Sequence, residues 1–496
     1  MRLAKAVQLC AVATFCSALA LPSLAEVLAP PKPPAAAVQT FVKVKPGVIA
    51  LVHARLIDGT GAPEQADRTI VIDGAKIAAV LAPGAAPPSG AQVVDLAGKT
   101  VLPGLVGMHD HLFYIARPNL DAAGHSDSPV LAPQMSFSAP RMYLAAGVTT
   151  LRTTGSVEPY TDLELKKQID AGELPGPHLD VTGPYLEGTG SPFVQMHQLK
   201  DAEDARRTVA FWADQGATSF KAYMFITRAE LRAAIDEAHR HGLKITGHLC
   251  AVTYPEAAEL GIDDLEHGFF VNTQLDPGKV PDKCSDGEGD PTLQAMTPDS
   301  AAGTALIRLL VSRHVAVTST LPVFEQDLPE HAPLNPRALA TLSPQALEAY
   351  LYNRNRRAMQ SAKRRDEILL EWRNDLALER AFVAAGGLLL AGPDPTGNGG
   401  VIPGFGDQRE IELLVEAGFS PEQAIRIGSL NGAIFMGLDS RVGSVAPGKD
   451  ADLVIVDGDP AKAIADIEKV ETVFKDGVGY DPAALLASVR GRYGEY

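Results

Sequence analysis

No stripe of basic residues runs along this chain. Its 44 lysines and arginines are outnumbered by 60 acidic residues, for a formal charge of −16. That balance argues against nucleic acid as a partner. Beyond Leu21 there is also no apolar run long enough to cross a bilayer, so no membrane span is expected. Cysteine is scarce, with four in 496 residues, and two of them, Cys10 and Cys16, fall within the first 25. That leaves Cys250 and Cys284, which can pair in an oxidising compartment or stand as two unrelated thiols. Their spacing does not decide between the two.

The N-terminus has its own logic. Met1 to Lys5 is short and basic, Ala6 to Leu21 is apolar, and Ser23-Leu-Ala25 ends in small residues before Glu26. This is the pattern of a cleaved secretory signal peptide over residues 1–25, and Pro22 argues against a membrane anchor. The chain is therefore expected to be exported, to a periplasm or beyond. Losing Arg2 and Lys5 would shift the charge from −16 to −18. The composition, 46% hydrophobic and 21% charged, is ordinary for a globular protein. The length suits one large domain and a smaller one.

Residues 26–45, rich in Pro, Ala and Val, read as a linker. From Val48 to Val101 short β runs alternate with turns, and Thr69-Ile-Val-Ile72 before Asp73-Gly74 signals a hairpin. After Val101 the rhythm becomes strand, loop, helix. Strand units are expected at 145–152, 178–182, 217–223, 243–248, 262–267 and 315–320. Thr227 with Glu230 forms a capping box. It opens a helix whose apolar stripe is Leu231, Ala234, Ile235 and Ala238, ended by Gly242. Such alternation predicts an α/β fold with a parallel sheet, and enough repeats predict a barrel. Two stretches break the rhythm: polar residues 271–300, read as a loop, and Arg- and Glu-rich residues 335–384, read as an inserted helical region. Ser420 and Pro421 cap a late helix, and Gly443 to Asp457 returns to β pattern, placed to complete the N-terminal β region.

The chemistry-bearing motif is His109-Asp110-His111, after the apolar run Val101 to Met108. In a strand, alternate side chains share a face, so the two imidazoles project together as a metal-binding jaw. Alone, such a pair is as often a packing pair. Four more residues of ligand type stand at C-terminal ends of predicted strands, where barrel enzymes place their chemistry: Lys221, His248, His267 and Asp394. The intervals from Lys221 to His248 and from His248 to His267, 27 and 19 residues, put these three on consecutive strands. Singly, the lysine reads as solvated and each histidine as a core residue. In register with the repeat, the set reads as one site.

These stretches, with Phe220-Lys-Ala-Tyr223, Thr246-Gly-His248, Glu266-His-Gly268, Gly392-Pro-Asp394 and Gly443 to Val456, resemble the metal-dependent amidohydrolase superfamily, near its imidazolonepropionase-like and prolidase-like exported members. The resemblance covers residues 46 to 480. It implies a (β/α)8 TIM barrel over 101–437, with a small β-sandwich domain formed from both chain ends, 46–100 and 438–480. It further implies two divalent metal ions, Zn2+ by the chemistry of the ligands, with one-metal occupancy left open. His109, His111 and Asp394 would hold one and His248 and His267 the other, with Lys221 bridging as a carboxylated lysine. Two departures stand out: Pro393 where relatives commonly carry Thr, and Gln408 where many carry His before the Arg-Glu pair.

The expected activity is hydrolysis of an amide C–N bond in a small N-acyl amino acid or dipeptide, by a water made acidic by the metals, with Asp394 as proton acceptor and donor. The alternatives are a cyclic amide, lactone or enamide substrate and, remotely, a non-catalytic metal-binding protein. Tyr223, two residues past Lys221, is a candidate substrate contact. Arg152 is a weaker candidate for a substrate carboxylate, with a structural ion pair as its competing role. A homo-oligomer is compatible with the sequence.

Overall fold

The apolar run before His109 serves two sheets. Thr100–Pro103 is a strand of a nine-stranded sheet, and after Gly104 the segment Leu105–Gly107 begins a parallel one. A Cβ at Gly104 would lie 2.0 Å from Thr149 Oγ1, so the crossing between sheets demands glycine. The structure, a computed structural model, describes residues 34–115, 130–329, 331, 333–396 and 400–495. The expected signal peptide, residues 1–25, and the first part of the expected linker lie outside the described residues.

Eight short strands run in parallel. β1 (Leu105–Gly107), β2 (Val148–Arg152) and β3 (His178–Asp180) form one sheet in that order. A second holds β4 (Ser219–Ala222), β5 (Lys244–Gly247), β6 (Asp264–Glu266), β7 (Ala316–Ser319) and β8 (Leu389–Ala391), also in order. Past the end of β3, Thr182 and Leu186 bridge in parallel to Ser219 and Ala222. On the other side, Met108 N–H donates to the Ala391 carbonyl over 2.9 Å.

Helices alternate with these strands along the chain, and their ends carry local caps. Thr227 and Thr253 close capping boxes with Glu230 and Glu256, and Gly261 caps its helix in the left-handed region at φ 96°. The stripe Leu231, Ala234, Ile235 and Ala238 is buried, as an amphipathic helix on a sheet requires. The inserted region is helical as expected, at Pro336–Leu339, Pro344–Ala358 and Ala362–Ala384.

Both chain ends build the nine-stranded sheet. Thr100–Pro103 pairs antiparallel with Leu453–Val456, which continues through Val470–Lys475 and Val478–Tyr480 to Val42–Val44. Its buried face includes Ile49, Leu51, Ile70, Val101, Leu453, Ile455 and Phe474, so neither end has a core without the other. This corrects the linker boundary. Ala36–Gln39 is helical and Val42–Val44 is a paired strand with Val44 buried, because the proline run stops at Pro34 and valines follow.

Residues 271–300 are mostly loop, with a helix at Asp290–Ala295, and are strongly cross-linked. Cys250 and Cys284 form a disulfide. The Asp276 carboxylate accepts hydrogen bonds from Ser285 Oγ, Gly289 N–H, Thr292 N–H and Thr292 Oγ1. Lys279 Nζ donates to the Ala251 carbonyl over 2.7 Å. The loop is thus pinned to the segment just after His248.

Candidate metal centre

His109 and His111 lie just beyond β1 rather than within it. The alternation persists all the same: both imidazoles turn to one side, with ring centroids 5.2 Å apart, and Asp110 turns to the other. There Asp110 meets Asp407, and a Cβ at Gly107 would sit 1.8 Å from its Oδ2. Burial, then the neighbouring Asp407, pushes the Asp110 carboxyl well above the usual range, and burial raises Asp407 to about 7. Burial beside a second carboxyl thus favours the protonated form of Asp110.

The strand ends bring the other predicted residues to the histidines. Lys221 is on β4, and His248, His267 and Asp394 follow β5, β6 and β8. Lys221 Nζ donates to His109 Nε2 over 3.0 Å, and Asp394 Oδ1 lies 3.0 Å from His111 Nε2 and 3.5 Å from His109 Nε2. Ligand atoms of His109, His267 and Asp394 fall within 4.8 Å of one another. The His248 ring is 4.4 Å from that of His267. All six predicted residues therefore converge.

The backbone is specialised for this closeness. Asp394 and His267 hold φ of 55° and 70°, left-handed conformations that cost a non-glycine residue roughly 1–3 kcal/mol. Gly392 lets β8 approach so closely that a Cβ there would stand 2.2 Å from His109 N.

Three of the four histidines are oriented from behind. His109 Nδ1–H donates to Glu266 Oε2 over 2.7 Å and His111 Nδ1–H to the Thr153 carbonyl over 3.2 Å, and His267 Nδ1 shares a hydrogen bond with Thr320 Oγ1 over 2.9 Å. Carboxylate and carbonyl oxygens only accept, so these contacts turn the Nε2 lone pairs of His109 and His111 toward the cluster. Burial lowers all four imidazoles, His248 to about 3 and His109 and His267 well below 6.5, so they are neutral. Burial also lowers Lys221 to about 8, against the opposing pull of Glu266 and Asp394. Burial alone would raise Asp394, but His109, His111 and Lys221 hold it below the usual carboxylate range.

This donor set fits a cation. His267 Nε2 is buried with no hydrogen-bond partner. A neutral His111 whose proton is on Nδ1 presents a bare lone pair to Asp394 Oδ1 at 3.0 Å. Two acceptors face each other there, an arrangement that a positive ion reconciles.

Arg152 is not at the surface of the site. It lies beneath, fully buried, donating to Met108 O, Asp264 Oδ2 and Glu266 Oε1, each over 2.9 Å. Its role is the structural ion pair. Gln408 likewise faces away, donating to the carbonyl of Ala146 over 2.9 Å. Tyr223 does line the cavity over the cluster, which holds about 230 Å³. Tyr185, not singled out from sequence, lines it too, with its ring 5.0 Å from Tyr223. Tyr185 follows the end of β3 at Asp180 less closely than the others follow their strands, so the strand-end rule that found them passes it over. A larger cavity of about 310 Å³ near Glu325 and Arg409 contains none of the six residues. A second His/Asp cluster, His178 with Asp452 and Asp476, sits at the opposite ends of the strands. Burial and Lys475 pull His178 down, but hydrogen bonds to Asp170 and Asp476 raise it to about 9. It is a protonated ion-pair partner, not a ligand.

A sequence model of the amidohydrolase family matches residues 100–284 and 404–478. Adenine deaminase 2 of Jannaschia sp. (strain CCS1) is 40% identical over 73 residues, 14% of this chain and 12% of that protein, so the matched stretch spans about an eighth of the relative's length. Among solved structures, a Xaa-Pro dipeptidase with bound methionine superposes with a TM-score of 0.63 at 20% identity, over 88% of this chain and all of that one. A bottromycin amidohydrolase does so with a TM-score of 0.66 at 19% identity, over 92% and 94%. At these identities the likeness is one of fold, a TIM-barrel-type α/β fold.

Proposed function

The chain belongs to the amidohydrolase family, and we propose that it is an exported, metal-dependent hydrolase cleaving the amide C–N bond of a small N-acyl amino acid or dipeptide. On this reading the eight parallel strands close as a (β/α)8 barrel, and the nine-stranded sheet is its small β-sandwich domain. The observation that carries the proposal is the convergence of four neutral imidazoles, one lysine and one carboxylate, with His267 Nε2 buried and unpartnered.

His109, His111 and Asp394 would hold one divalent ion, and His248 and His267 a second. Lys221 would stand between them as a carbamate. With its pKa lowered to about 8, much more of the amine is neutral near pH 7 than for an ordinary lysine. The neutral nitrogen attacks CO2, an N–C bond forms, and the nitrogen releases a proton, leaving an anion suited to sit beside cations. When bound, Zn2+ or a similar ion supplies Lewis acidity, lowering the pKa of water and polarising a carbonyl.

The remaining work falls to the chain. Asp394, kept ionised, accepts the proton of the attacking water at a carboxylate oxygen and returns it to the leaving nitrogen. Glu266 and the Thr153 carbonyl keep His109 and His111 in the tautomer that offers Nε2 inward, and Thr320 orients the His267 ring. The hydroxyls of Tyr185 and Tyr223, kept protonated by burial, are donors for the oxyanion that develops at the carbonyl.

The test joins elemental analysis of the purified protein to a panel of N-acyl amino acids and dipeptides. One to two divalent ions per chain and release of amino acid are expected, with Asp394→Asn lowering kcat by about 10²–10⁴-fold. If only cyclic amides, lactones or enamides are cleaved, the substrate is reassigned. An Asp394→Asn protein with every activity intact would return the site to mere metal binding. Export predicts a mature N-terminus at Glu26.

A further inference from the structure

The histidine, lysine and acidic side chains that line the cavity over the cluster, among the described residues, all belong to the cluster itself: His111, Lys221, His248, His267 and Asp394. The walls are a different material. Phe113, Ile115, Val157, Tyr185, Phe193 and Met196 surround the opening, and most of them form one contiguous apolar group.

This wall is built. Phe113 stacks on the His111 ring, with centroids 4.4 Å apart and planes 28° from parallel. Tyr185 is seated by a glycine: a Cβ at Gly155, whose φ is 93°, would lie 2.4 Å from the tyrosine ring. The two loops carrying the outer wall are tied together. Gln195 accepts from Ala132 N–H over 2.7 Å and donates to the Ala132 carbonyl over 3.0 Å, and Val130 bridges to Phe193. That tie holds Phe193 and Met196 over the site. Met196 supplies an unbranched, polarisable side chain that adapts to ligand shape.

We propose that this wall is a recognition subsite for a bulky, uncharged apolar group, aliphatic or aromatic, next to the scissile amide. The preferred substrates are then amides of hydrophobic acyl groups or hydrophobic amino acids, not of charged ones. The inference rests on the amide-hydrolase reading of the cluster and adds to it the class of substrate. An apolar wall rewards each buried methylene by the transfer free energy of hydrocarbon, about fourfold in affinity. A charged group there would leave water without a partner.

The probe is a series of straight-chain alkyl hydroxamic acids from two to eight carbons, whose binding to the metal-loaded protein is measured by calorimetry and needs no turnover. Affinity should rise about fourfold per added methylene until the cavity is full. Met196→Glu and, as a second variant should that one fold poorly, Val157→Asp should reduce the gain to less than twofold per methylene. A flat series, or tighter binding of hydroxamates ending in a carboxylate or ammonium, overturns the subsite. A matched series of N-acyl amino acids is run in parallel. Chain-length gain in binding without cleavage of any amide leaves the subsite standing and removes the hydrolase reading. Cleavage with no chain-length preference does the reverse.

Discussion

Replacing Glu266 by Gln is the sharpest test of how the cluster is oriented. The carboxylate is fully buried, accepting from His109 Nδ1 at 2.7 Å, from Arg152 Nη2 at 2.9 Å and from Thr246 Oγ1. Glutamine has the same shape but one acceptor oxygen and one amide nitrogen. If the oxygen stays with Arg152, the NH2 faces His109 Nδ1, which must then accept, and the ring proton moves to Nε2. The lone pair offered to the cluster is lost. If the oxygen turns to His109, the NH2 meets the guanidinium, donor against donor. Outer partners of this kind change metal affinity by about 10–100-fold, which corresponds to roughly 1.4–2.7 kcal/mol. Removing one partner of a buried ion pair outright costs about 3–5 kcal/mol. Here Arg152 keeps Asp264, so the stability loss should fall below that range. Chelator competition measures metal affinity, and denaturant unfolding of the metal-free protein measures the fold. The reasoning is refuted if metal affinity stays within twofold of the parent while the metal-free protein loses stability, for then Glu266 serves only Arg152.

Three further outcomes are expected. Replacing Cys250 and Cys284 together by serine opens a loop of 34 residues, which loop-closure entropy values at about 4 kcal/mol; a reductant should lower the melting temperature of the parent and leave the variant unmoved. Burial raises Glu410 to about 8, so the folded state keeps a proton that the unfolded chain releases near pH 4; the stabilisation is complete below that pH and is lost as pH rises through about 8. Stability should fall over this window with a slope of up to about 1.4 kcal/mol per pH unit from this group, and Glu410→Gln should show a shallower decline in denaturant unfolding. Gly155→Ala should displace the Tyr185 ring, because its Cβ would stand 2.4 Å away in a left-handed conformation; KM for apolar amides should rise several-fold while metal content is unchanged, and an unchanged KM would remove Tyr185 from the substrate wall.

Much of the centre was legible because barrel chemistry has an address. A ligand-type residue at or just past a strand's C-terminal end can be found by pattern, and His109, His111, Lys221, His248, His267 and Asp394 all carry that address. The helix caps at Thr227 and Ser420 were legible for a related reason: their hydrogen bonds are local, within three residues. Arg152 was ambiguous because its role depends on Asp264 and Glu266, more than a hundred residues away. The end of the linker was misjudged because Val42–Val44 is a strand only through its partner Val478–Tyr480 at the far end of the chain.

The sequence by itself therefore determined the repeat, the residue types of the cluster and their order, since strand alternation, capping and residue chemistry act over short spans. The tertiary structure alone decided what those residues face. It split the run Val101 to Met108 between two sheets, joined Cys250 to Cys284, set Asp110 against Asp407, and set Phe113, Val157, Tyr185 and Met196 around one opening. Each of these is a contact between segments distant in the chain, governed by packing and burial, which no local pattern encodes.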